Sequence, residues 1–93
     1  MNVETILALV KSNLGIVAAA TAYDAALTQI INASITAITT EGVTLDGENA
    51  GDVQLVTMYA VWMWNKRKEG GAMPRMLRWQ LNNRVFAEKA AAE

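Results

Sequence analysis

The segment VQLVTMYAVWMW, Val53 to Trp64, limits what this chain can become more than any other stretch. It is apolar in nearly every direction, with Gln54 and Thr57 as its polar interruptions. Its 12 residues fall well short of the roughly 20 that span a bilayer, so it reads as a buried helix and not as a membrane segment. A helix that is apolar all round has to be covered all round. The chain has 93 residues, enough for one domain over 1–93, and a domain of that size buries only about 60 to 65% of the surface its unfolded form exposes. The expectation is that so small a monomer cannot surround this helix, and that part of it meets another chain. The alternative is that three shorter helices suffice to cover it.

Other sources of stability are few. With no cysteine and no histidine there is no disulfide and almost no metal ligand, which leaves partner subunits as the support. Met1 leads to Glu4 with no basic stretch before an apolar run, so the default expectation is synthesis in the cytosol.

The remaining sequence reads as helices separated by short glycine-bearing breaks, and the fold class is all-α: a small bundle of about four helices. The first helix is expected from Val3 to Asn13, capped by Asn2 and closed by Gly15. Thr21 with Asp24 three residues on has the pattern of a cap with an acidic partner, opening a second helix that ends near Thr40. Tyr23, Leu27, Ile30, Ile31, Ser34, Ile35 and Ile38 form its apolar stripe. The opposite face, Thr28, Gln29, Asn32, Thr36, Thr39 and Thr40, carries no charge; it reads as a solvent face, with a mild hint of contact with a neighbour. An acidic loop, Gly42 to Asn49, follows, and Asn49 can cap the third helix with Asp52 in its first turn. Gly70 and Gly71 stop that helix. Pro74 then suits the first position of a fourth, so Gly-Gly and Met-Pro together specify a bend.

The fourth helix has two apolar sectors at 100° per residue. Met73, Leu77, Leu81 and Val85 form one; Trp79, Asn83 and Phe86 form the other, which needs a partner if the first packs inward. Arg75, Arg78, Asn82 and Lys89 make a polar strip. Arg84 falls inside the first apolar sector, where its guanidinium must pair with a carboxylate or reach water.

Charge is divided along the chain. Residues 1–64 hold one cation and six carboxylates, whereas residues 65–93 hold seven cations and three carboxylates, and the whole chain nets −1. Such polarity can steer subunits head to tail or offer a cationic face to nucleic acid. The cluster Lys66, Arg67, Lys68 at the bend belongs to the basic end.

Catalytic chemistry finds little purchase: there is no His or Cys, no nucleophile context around Ser, and no phosphate-cradling glycine loop. Asp46, Glu48 and Asp52 lack calcium-loop spacing and read as caps and solvated groups. Asn32-Ala33-Ser34 matches a glycosylation sequon by chance within a helix. The basic strip beside Trp79 would suit nucleic-acid phosphates, but no nucleic-acid-binding motif accompanies it. No cofactor is implied.

The run YAVWMWNKRKEGGAMPRMLRWQLNNRVFAEK, Tyr59 to Lys89, resembles the head-tail connector (adaptor, or head-completion) proteins of long-tailed double-stranded DNA phages and prophages. The likeness lies in an aromatic-rich helix, a basic glycine-bearing loop, and then Met73, Pro74, Met76, Leu77 and Arg78, followed by Leu81, Asn82, Asn83, Arg84 and Phe86. It covers the last third of the chain; the first two-thirds match only in helix order and length. The resemblance implies a structural virion protein at the head-tail junction, made in the bacterial host cytoplasm. It implies a ring of copies of itself, about twelve in the virion, that closes by head-to-tail contacts beneath the portal protein. Such a ring extends the channel through which double-stranded DNA passes without sequence specificity, and it docks a stopper or tail-completion protein; no membrane is involved. On that basis Arg75, Arg78, Asn82, Asn83 and Arg84 are expected to contact an adjacent subunit or the portal, with Trp79 and Phe86 at the apolar centre. The blander reading puts Trp79 in the monomer core and the arginines in solvent. Two other functions stay open: a DNA-binding packaging accessory protein using Lys66 to Lys68, Arg75, Arg78 and Lys89, and an unrelated helical interaction module. Enzymatic function has the least support.

Overall fold

The computed structural model describes residues 1–92, with the side chains of Lys68, Glu69 and Ala92 left aside. It is all-helical, in the order α1 (Val3–Leu14), α2 (Asp24–Thr40), α3 (Ala50–Glu69) and α4 (Arg75–Ala92), with no strand among the described residues. None of the helices among the described residues is long and apolar enough to cross a membrane.

Local chemistry sets most helix ends. The Asn2 side chain accepts from the Thr5 N–H at 3.2 Å, and Gly15, at φ 74°, ends α1 in a left-handed turn that a glycine adopts at no steric cost. Asn49 accepts from the amides of Gly51 and Asp52 at 2.8 and 3.2 Å and so caps α3. At its other end Gly70 and Gly71, at φ 69° and 106°, turn the chain out of the helix. Pro74 stands one position before α4 and not at its first residue; its carbonyl accepts the Arg78 N–H at 3.0 Å.

The start of α2 departs from expectation. Thr21 is not its cap: Tyr23 occupies that place without a side-chain cap bond, and Thr21 only accepts the Asp24 N–H at 3.2 Å in a preceding turn. The Asp24 carboxylate is engaged elsewhere, by the ammonium of Lys11 on α1 at 3.0 Å, and is therefore not reaching back to a cap.

The helix α3 runs through the middle of the molecule, with α1, α2 and α4 all packed against it. Leu55, Val56, Tyr59, Ala60 and Trp64 are buried, while Val53, Met58, Val61, Trp62 and Met63 are half-buried. The other three helices thus surround this helix only in part. Three amphipathic helices contribute Ile6, Val10, Leu27, Ile31, Ile38, Leu77 and Leu81 to a single core against it, and its half-buried side chains keep an apolar surface partly in solvent. The α2 stripe faces this core through Leu27, Ile31, Ser34 and Ile38, with Ile30 and Ile35 half-buried, whereas Tyr23 is exposed at its rim. Ser34 is buried without cost because its hydroxyl donates to the Ile30 carbonyl at 2.8 Å. On the outer face of α2, Thr39 and Thr40 donate to carbonyls one turn back, at 2.7 and 2.8 Å.

Candidate interaction surface

Inner and outer faces of α4 differ sharply. Met73, Leu77, Leu81 and Val85 pack onto the core, Leu77 and Leu81 completely. On the opposite side Trp79 is 61% exposed, Phe86 75% and Met76 61%, with Arg75, Asn82, Asn83 and Lys89 exposed around them. The placement of Trp79 in the monomer core is therefore excluded. A tryptophan and a phenylalanine left in water on one helix face forgo roughly 1.5 to 3 kcal/mol each of burial, which a folded chain seldom leaves unused without reason.

The basic residues singled out in the sequence separate into different roles. Arg75 and Lys89 lie on the open face. Arg78 stands at its edge and pairs with Glu41, at the end of α2, at 3.1 Å. Arg84 turns inward: its guanidinium pairs with the buried Asp52 and donates to the Thr44 carbonyl at 3.2 Å, while Glu88 one turn on lies at 3.5 Å. Glu88 also accepts the Thr44 N–H at 3.0 Å, so Arg84 and Glu88 together fasten the acidic loop to α4. Of the two alternatives open to Arg84, the carboxylate is the one realised. Lys66 and Arg67 lie within the last turns of α3, where the Lys66 ammonium is 5.0 Å from the Trp62 ring centre and the Arg67 guanidinium 4.6 Å from that of Trp64. The Lys68 side chain lies outside the described residues. Within the resemblance signature, Met73, Leu77 and Leu81 face inward, Pro74 precedes the helix, and Met76 faces out with Trp79.

Asp46 and Glu48 are exposed loop residues, whereas Asp52 is buried and ion-paired, not the solvated group expected. Asp46 accepts from the Glu48 N–H at 2.9 Å, and Asp52 accepts from the Asp46 N–H at 2.8 Å. Among the described residues there is no grouping of three or more acidic ligands suited to a metal ion. The acidic loop folds over the start of the chain, close enough that a Cβ added at Gly47 would lie 3.1 Å from Met1 Cα. Exposed Glu4, Asp46 and Glu48 thereby share the region where α1 begins.

Two of the grooves along α3 lie against other helices. One, about 430 Å³, lies against α4 and is lined by Asn49, Gly51, Leu55, Trp79 and Asn83. The other, about 390 Å³, lies against α1 and is lined by Leu9, Asn13, Glu48, Val53, Gln54 and Met58. Tyr59, nearly buried beneath Trp62, has its hydroxyl pKa raised above 10.0, first by burial and then by Glu41, with Arg78 opposing.

The residue that sequence reasoning passed over is Lys11. It is 5% exposed, and its ammonium donates to the carbonyls of Ala18 and Ala20 at 3.0 and 2.7 Å while pairing in charge with Asp24 at 3.0 Å. The signal was present: Lys11 is the lone cation of residues 1–64, and Asp24 is the lone carboxylate between Glu4 and Glu41.

No known family model matches the chain, and neither a curated protein nor a solved structure matches it.

Proposed function

We propose that this protein is a structural subunit of a phage particle, a head-tail connector that assembles as a ring beneath the portal, extends the DNA channel and docks the stopper or tail. The observation that carries the reading is the outer face of α4, where Trp79 and Phe86 stand in solvent beside Arg75 and Asn82. Aromatics and arginine on a helix whose other side is fixed in a core are the residues that dominate binding energy at protein interfaces. They fall within the stretch whose sequence resembles connector proteins, and the split between an acidic and a basic end suits head-to-tail closure. The competing DNA-accessory reading draws less support, because Arg78 is paired with Glu41, and Lys66 and Arg67 rest on tryptophan rings.

The test is genetic and structural: the coding sequence is removed from the phage or prophage that carries it, and the particles made are examined by electron microscopy. Filled heads without tails, restored to tailed particles by the wild-type chain, are the expected outcome. Normal yields of tailed, infectious particles in its absence would refute the proposal.

A further inference from the structure

The open face of α4 has a finer pattern than exposure alone conveys. Met76, Trp79, Asn83, Phe86 and Ala90 follow one another in steps of three and four, the seam spacing with which one helix packs along another, and all five are exposed. A central polar residue in such a seam, here Asn83, fixes register at some cost in stability. The flanks of the seam carry Arg75 and Lys89 and no carboxylate; Glu88, the one acidic residue of α4, is turned inward to Arg84 and Thr44.

This charge pattern decides between two ways in which copies could meet. In a two-fold contact of α4 with α4, an antiparallel arrangement sets Arg75 of one copy near Lys89 of the other, and a parallel arrangement sets like beside like. Both are repulsive, and no acidic group of the face offsets them. The complementary surface lies elsewhere on the same chain. The groove between α1 and α3 offers apolar walls from Leu9, Val53 and Met58, with Leu9 40% exposed, and has Glu48 at its lining. Asp46 stands exposed two residues from Glu48 in the same loop. No residue of α4 lines this groove, so both surfaces are open at once.

We infer that the Trp79–Phe86 face of one copy docks into the α1–α3 groove of the next, with Arg75 and Lys89 meeting Asp46 and Glu48. The contact is head-to-tail and leaves a second groove and a second α4 face for further copies. It deepens the ring reading above, and rests on it only for closure of the series into a ring.

The experiment mixes two variants altered at exposed positions. One, Trp79→Ala with Phe86→Ala, lacks the knob; the other, Gln54→Trp with Glu48→Lys, fills the groove and reverses its charge. Unchanged helical circular dichroism and a cooperative melting transition establish that both are folded. By native mass spectrometry and light scattering at the highest attainable concentration, the wild type is expected to form oligomers. Each variant alone should be monomeric, its association weakened about thirty-fold or more. Their mixture should form one-to-one dimers that grow no further, since one intact knob and one intact groove remain. A wild type that stays monomeric, a groove variant that assembles like the wild type, or a mixture without dimers would each overturn the inference. These readouts need no virus: tailed particles formed without the chain would remove the connector reading and leave this contact standing, and the reverse holds equally.

Discussion

Arg84, midway along α4, sets its guanidinium against the carboxylate of Asp52 in the first turn of α3, a side chain that is only 2% exposed. The pair joins the last helix to the N-terminal end of the central one. It also fixes the acidic loop, since Asp52 accepts the Asp46 N–H and Arg84 donates to the Thr44 carbonyl. Removing one member leaves the other desolvated. Arg84→Ala is expected to cost about 3 kcal/mol in denaturant unfolding, and Asp52→Asn with Arg84→Gln less than the sum of the two single changes. Arg78→Ala is the contrast: its pair with Glu41 is about half in water on the arginine side, and the change should cost less than about 1 kcal/mol.

The buried ammonium of Lys11 ties the 15–23 connection to α1 through two carbonyls and Asp24. Lys11→Met leaves the two carbonyls without their donor and the Asp24 carboxylate without its cation. A loss of about 2 to 4 kcal/mol is expected, together with faster amide exchange at residues 18–24, measurable by hydrogen-deuterium exchange. Adding Asp24→Asn should recover part of that loss, because the orphaned charge is then gone.

These two ion pairs also mark how far the sequence could be read. Asn2, Gly15, Asn49 and Gly70 each act within a few residues of themselves, so their roles were legible from type and position. Arg84 was legible as a charge in an apolar sector needing a carboxylate, but which one depends on how α4 crosses α3. Thr21 misled because Asp24 serves a distant lysine and not its own helix start. How much of α3 its three neighbours cover is likewise a property of packing geometry, which periodicity does not contain. The open face of α4 was legible as a second apolar sector, since Trp79, Asn83 and Phe86 cannot share a side with Leu77 and Leu81.

Trp79→Ala and Phe86→Ala should leave the isolated fold nearly untouched. Both side chains are mostly in solvent, so a change within about 0.5 kcal/mol is expected for either in chemical denaturation. A large loss of monomer stability would mean that the two rings are held inside the subunit.

Alkaline pH probes the contact between Tyr59 and its surroundings. Burial and Glu41 raise the folded-state pKa above the ordinary 10.0, so the neutral phenol is the form that the fold favours. Its contribution is complete below pH 10 and is lost as the pH rises through the folded-state value, where ionisation no longer discriminates in favour of the fold. Unfolding free energy should therefore fall above pH 10, and Tyr59→Phe should flatten that part of the profile. An unchanged alkaline profile in Tyr59→Phe would assign the dependence to another group.

The body that carries these features is flat, with Cα extents of 46 × 29 × 17 Å, and α4 packs chiefly on α3. The last helix is thus held by one neighbour, by Leu77 and Leu81, and by the two arginine pairs. It is the element with the fewest reasons to stay closed when the molecule fluctuates, and local opening should begin there. A partner that grips its outer face would hold the inner face shut as well. Binding energy and the cohesion of the subunit would then be drawn from the same helix, and a copy joined to its neighbours would resist unfolding more than a solitary one.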